Sequence, residues 1–131
     1  MAIDEYVYLT VAEAVKFHVL YMRKAGETRF GVFDKTLVES ALTRPQHAAI
    51  YENADLFRQA ATLLLGLIKN HPWEGGNKRT ATFLTQLFLK RNGYKIIAQT
   101  SEIIELCLKI ESDVWKVDEI ESWLRSKIKV L

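Results

Sequence analysis

The chain has one cysteine, Cys107, in 131 residues. No internal disulfide can form and no thiolate cluster can hold a metal, so a reducing, cytoplasmic setting fits. Only two prolines and six glycines interrupt the chain, which excludes collagen-like and low-complexity architectures. No apolar run reaches the roughly 18–20 residues a membrane span requires. Asp4 and Glu5 stand where a secretory leader would carry a basic region, so neither a membrane partner nor a signal peptide is expected. Charge of one sign is scarce as well. Eighteen Lys and Arg against sixteen Asp and Glu leave a net charge of +2, too small for a polyanion-binding face, and no direct nucleic-acid partner is expected.

What is present is ordinary globular material: 49% hydrophobic, 11% aromatic and 26% charged residues. A chain of this length buries roughly two thirds of its unfolded surface and suits a single domain, residues 1–131. After an extended Tyr6–Leu9, Thr10 and Glu13 have the spacing of a capping box, and Val11, Ala14, Val15, Val19 and Met22 recur at helical period up to Gly26. His18 lies near that apolar face and reads as packed or partly exposed. Gly26 to Phe33 mixes glycine with β-favouring residues and predicts a loop or short hairpin acting as a flap. Asp34 then caps a short helix limited by Pro45, with His47 in a connector. From Asn53 to Asn70 the apolar stripe widens nearly around the cylinder, which predicts the buried central helix. A further helix starts near Asn77 and stops at Gly93. Tyr94 to Ala98 is extended, and Ser101–Ile110 and Val117–Ile128 are two amphipathic helices. Trp115 and Trp123 read as helix-packing groups.

Between the two most apolar helices lies His71-Pro72-Trp73-Glu74-Gly75-Gly76-Asn77-Lys78-Arg79-Thr80. His71 can take a proton near neutral pH and is carried on a rigid helix, where a catalytic base needs to be. Gly75, Gly76 and Asn77 stand at a helix start, where backbone N–H groups and the helix dipole favour a phosphate. The Asn77 side chain can orient a phosphate oxygen or a metal ion. Arg79 offers a planar fork for bidentate phosphate contact and Lys78 a point charge. A turn with a capping asparagine and solvated cations explains each residue singly; together they predict phosphoryl or nucleotidyl transfer onto a hydroxyl.

This stretch resembles the Fic/Doc signature H-P-F-x-[D/E]-G-N-[G/K]-R, and Lys78 resembles the Doc (death-on-curing) variant. The similarity continues through Gly31-Val32-Phe33-Asp34, Leu37 to Pro45, and Thr80-Ala81 to Asn92-Gly93. It implies an all-α Fic/Doc fold, a compact bundle of about six helices with a short flap or hairpin. It also implies a toxin of a toxin–antitoxin pair that moves the γ-phosphate of ATP to a hydroxyl of a protein, an elongation factor of translation in Doc-like proteins. On this reading His71 and Arg79 are catalytic, Gly75 to Arg79 bind the nucleotide phosphates, and Asn77 takes part in holding Mg²⁺. The partners implied are the protein target and a cognate antitoxin. The inhibitory pattern [S/T]-x-x-x-E-[G/N] of some Fic proteins is not completed here, because Ser101 and Glu105 are followed by Leu106.

Two positions depart from the signature. Trp73 replaces phenylalanine as the apolar anchor. Gly75 stands where the family has the acid that binds Mg²⁺; Glu74, one position earlier, is the substitute carboxylate if the loop turns it inward. AMP transfer, as in ordinary Fic proteins, and a Fic-fold binding protein weakened by Gly75 are the alternative functions.

Overall fold

A computed structural model describes residues 5–131, and Asp4 lies outside the described residues. Helix α1 spans Val11–Lys24 and begins with the expected box: the Thr10 side chain accepts from the Glu13 N–H, and the Glu13 side chain accepts from the Thr10 N–H. Gly26, at φ +77°, takes the left-handed turn that follows it.

Helix α2 spans Lys35–Glu52, capped by Asp34 and closed by Asn53 in the left-handed region. The expected stop at Pro45 does not occur, and His47 lies inside the helix instead of in a connector. Proline removes one hydrogen bond, here to the Ala41 carbonyl, and crowds that carbonyl. What outweighs this is packing: Val38, Ala41, Leu42, Pro45 and Ala48 are all buried on the side where α2 lies along α3.

Helix α3, Leu56–Asn70, starts at Asp55, whose carboxylate accepts from the Arg58 N–H, two residues later than expected. It is the central helix the pattern predicted. Leu63, Leu64, Leu67 and Ile68 are almost wholly buried, and α3 is touched by α2, by α4 (Asn77–Arg91), by α5 (Thr100–Glu111) and by α6 (Val117–Lys127). Gly66 leaves room for α2, since a Cβ there would meet the Arg44 side chain at 2.7 Å.

The last helix ends earlier than Ile128. Ile128–Val130 form strand β2, antiparallel to β1, Tyr94–Ile96, in the register Tyr94 to Val130 and Ile96 to Ile128. This short pair ties the end of the chain back to the exit of α4. An ion-pair group of Arg58 with Asp118 and Glu121, and Arg125 with Asp55, fastens α6 to the start of α3. Cys107 is buried on α5, and that burial pushes its thiol up to about 11, which leaves it protonated and inert at neutral pH.

The central position of α3 makes a quantitative expectation. Leu67→Ala removes a fully buried side chain and lowers unfolding free energy by roughly 2–5 kcal/mol, whereas the half-exposed Leu108 loses under about 1 kcal/mol on the same change. Urea unfolding of the two variants beside the parent chain checks the difference.

Candidate active site

The loop between α3 and α4 is held from three directions. His71 is the C-cap of α3 and sits in the left-handed region, φ 47° and ψ 56°. A histidine there costs on the order of 1 kcal/mol, so the surroundings must supply the constraint. One side comes from the 26–34 segment: the Phe33 and Asp34 N–H groups donate to the Pro72 carbonyl at 2.9 and 3.3 Å, and the Glu74 N–H donates to the Gly31 carbonyl at 2.9 Å. Of the loop or short hairpin expected here, the segment is the loop. It pairs with the His71 loop, through a single bridge of Val32 to Trp73, because its extended stretch is too short to fold on itself and finds its partner across the site.

The second hold is Asn77. Its Oδ1 accepts from the Trp73 N–H and its amide donates to the Trp73 carbonyl, both at 3.0 Å. The third is His18, which packs beneath the loop with its ring stacked on Trp73, centroids 4.2 Å apart. The Gly31 N–H donates to His18 Nε2 at 2.9 Å, so the neutral ring carries its proton on Nδ1 and donates to Thr80 Oγ1 at 2.8 Å. One imidazole thus joins α1, the 26–34 segment, the loop and α4. Burial pulls its pKa from 6.5 down to about 4, which keeps it neutral. The Trp73 indole N–H has no partner among the described residues, a cost of roughly 1–3 kcal/mol that the phenylalanine of the signature would not incur.

Above these supports lies a cavity of about 370 Å³ lined by His71, Gly76, Asn77, Lys78, Arg79 and Glu111. Gly76 is the N-cap of α4 at φ +66°, and no side chain caps this helix start. Its first N–H groups remain available to an anion at the positive end of the dipole. Lys78 Nζ lies 3.2 Å from Glu111 Oε1, and Arg79 pairs with Glu27 at 2.8 Å. All four side chains are partly exposed, so each pair contributes no more than about 1 kcal/mol.

Five of the seven expected site residues share this cavity; Glu74 and Gly75 do not line it. Glu74 is exposed, with its backbone fixed to Gly31, so the loop does not turn its carboxylate inward. Gly75 has a packing reason, since a Cβ there would stand 2.5 Å from the Arg29 carbonyl oxygen. Glycine lets the 26–34 segment close on the loop. Gly76 likewise passes under Met22, which a Cβ would meet at 2.5 Å.

Magnesium demands near-octahedral oxygen ligation. No group of three His, Cys, Asp or Glu among the described residues is placed to hold a metal, and the Asn77 amide is already engaged at both ends. The described side chains therefore form no protein cage for Mg²⁺, and an ion that came with a polyphosphate would be held by phosphate oxygens and water. Glu111, which faces both His71 and Lys78, was not identified from sequence; it lies far along the chain, in the last turn of an ordinary amphipathic helix, with no local signal to mark it.

The Fic/DOC family model matches residues 8–89, which take in α1, the 26–34 segment and the whole loop. The chain is similar to the protein kinase doc of Escherichia phage P1, 31% identical over 96 residues that cover 72% of this chain and 75% of the phage protein. It is also similar to the toxin Doc of Mycolicibacterium smegmatis, 39% identical over 80 residues, 56% of this chain and 62% of that protein. With six helices among the described residues around one apolar core and the His71 loop between two of them, the chain belongs to the Fic/Doc family, in its Doc branch.

Two outcomes follow from the supports of the loop. The pKa of His18 is lowered on folding, so its contribution is complete above about pH 6.5 and is lost as pH falls toward 4. By linkage this amounts to about 2 kcal/mol at pH 5. Melting curves between pH 7.5 and 5 measure it, and His18→Gln flattens the slope. Restoring an acid by Gly75→Asp destabilises the chain by roughly 1–3 kcal/mol through overpacking against Arg29. Unfolding midpoints and faster proteolysis near residue 29 check that.

Proposed function

We propose that the chain is a Doc-type toxin which transfers the γ-phosphate of ATP to a hydroxyl of a protein. The observation that carries this reading is the convergence of His71, Lys78, Arg79 and the uncapped start of α4 on one cavity. His71 removes the hydroxyl proton as the oxygen attacks the γ-phosphorus. The bond from that phosphorus to the bridging oxygen breaks, and ADP leaves. Lys78, Arg79 and the α4 N–H groups face the charge on the transferring phosphoryl group, which is where phosphoryl transfer needs stabilisation. The described side chains form no cage for Mg²⁺; an ion brought by the nucleotide would be held by its phosphates and water and would add positive charge there.

Phosphate transfer is preferred to AMP transfer because Lys78 stands in place of the second glycine of the G-N-G found in AMP-transferring Fic enzymes. The target we infer is a translation elongation factor, which places the activity in the cytoplasm. Among the described residues no helix is long and apolar enough to cross a membrane. A cognate antitoxin is the second partner. The groove of about 180 Å³ between α4 and α5, with Ile103, Ile104 and Leu108 beside Lys78 and Arg79, supports an amphipathic peptide carrying acidic residues. The single cluster of buried side chains running from Leu9 to Leu124 supports treating the chain as one domain.

A second reading has its own observation. Without a metal seat, and with both loop cations already paired to carboxylates, the domain would bind nucleotide or protein without turning it over. Binding of ATP that is independent of Mg²⁺, with no phosphate transferred, favours that reading. On the first reading, induced expression in a bacterium arrests growth and His71→Ala abolishes the arrest, with transition-state stabilisation falling by at least about 3 kcal/mol, a hundredfold or more in rate. Equal arrest by both forms overturns the role of His71 as base.

A further inference from the structure

The acid inside the phosphate cavity is a feature the proposed reaction does not use. Glu111 ends α5 and presents its two oxygens to two different groups: Oε1 lies 3.2 Å from Lys78 Nζ and Oε2 3.7 Å from His71 Nε2. It is held there by its backbone. Lys69, at the end of α3, donates to the Glu111 carbonyl at 3.2 Å and pairs with Asp113 at 2.8 Å, so the carboxylate projects from a fastened helix end. Glu111 also lies outside residues 8–89, the part of the chain that the family match covers. Glu27, the acid on Arg79, does not line the cavity.

A carboxylate facing a lysine and a histidine in a cavity built for phosphate occupies an anion's place with a single charge. We propose that Glu111 is a specificity-determining residue: a resident counter-ion that an incoming polyphosphate must displace from Lys78, so that it sets both the affinity and the charge selectivity of the site. The inference rests on the phosphate-handling reading given above. The pair is partly exposed, at 42% for Lys78 and 36% for Glu111, and an ion pair of that exposure is weak enough to open. A polyphosphate brings several charges and recovers the loss through the α4 N–H groups and Arg79. A singly charged anion gains little over the carboxylate it would replace, and a neutral ligand gains nothing. Held in place, Glu111 keeps weakly charged anions out and slows the filling of the site by fragments of nucleotide.

The test is calorimetric titration of the whole chain with ATP and inorganic tripolyphosphate, and with inorganic phosphate as the low-charge comparison. Glu111→Gln keeps the size of the side chain and removes its charge. It tightens binding of both polyphosphates by roughly three- to tenfold, and it narrows the preference for tripolyphosphate over phosphate. Glu111→Ala moves in the same direction, while Glu111→Asp, which keeps the charge, stays closer to the parent. A purely structural clasp between α5 and α4 predicts the reverse, weaker binding in all three variants. Lys78→Ala is the control for the underlying reading and weakens every polyphosphate. If Lys78→Ala weakens binding but Glu111→Gln leaves it unchanged or weaker, the role of Glu111 is overturned and the phosphate site stands. If the parent chain binds neither polyphosphate, both fall.

Discussion

The imidazole of His18 is the contact on which the site most depends. It is buried and neutral, it stacks on Trp73, and its two nitrogens reach in opposite directions, to Gly31 and to Thr80. A charged ring would lose both the stack's apolar setting and the acceptor on Nε2, and burial is what prevents that charge. Through this one side chain the first helix, the 26–34 segment and the first turn of α4 are set relative to the loop that carries His71. Backbone pairing of Pro72 and Glu74 with the same segment makes the arrangement cooperative, since loss of any one hold frees a residue kept in the left-handed region. The two histidines therefore divide the work: His18 is buried and fixed, while His71 is half-exposed at the cavity mouth.

The loop also shows why its glycines are not interchangeable with the family's pattern. Gly75 stands under the Arg29 carbonyl, so closeness of the overlying segment and absence of a side chain at 75 are one constraint, while Gly76 lies against the Met22 side chain of α1. An acid at 75 and this closed segment exclude each other. Lys78 and Arg79 stand at the start of α4, and each of those cations is shared with a carboxylate from another element. On the function proposed above, an incoming phosphate competes with those carboxylates for the two cations.

Much of this was legible in the sequence where the signal is local. The Thr10 and Glu13 spacing specifies a capping box because both partners lie within one turn, and the α3 stripe marks the central helix because ten of its fifteen residues are buried. Local reasoning failed where a distant partner decides. Pro45 stays helical because α3 covers it, and Ile128 to Val130 become a strand because Tyr94 to Ile96 lie alongside. The 26–34 segment pairs with Trp73 instead of itself, and the packing reason for Gly75 resides in Arg29. His71, Asn77, Lys78 and Arg79 were readable from their clustering; Glu111 was not, since only the fold brings the end of α5 to the loop.

The central claim, that this cavity moves a terminal phosphate with His71 as base, is tested most directly by incubating the purified chain with bacterial lysate and ATP labelled in turn at the γ- and α-phosphate. A labelled protein is expected with γ-labelled ATP alone, and no label with His71→Ala. Transfer of the α-label, or γ-transfer that persists in His71→Ala, would contradict it.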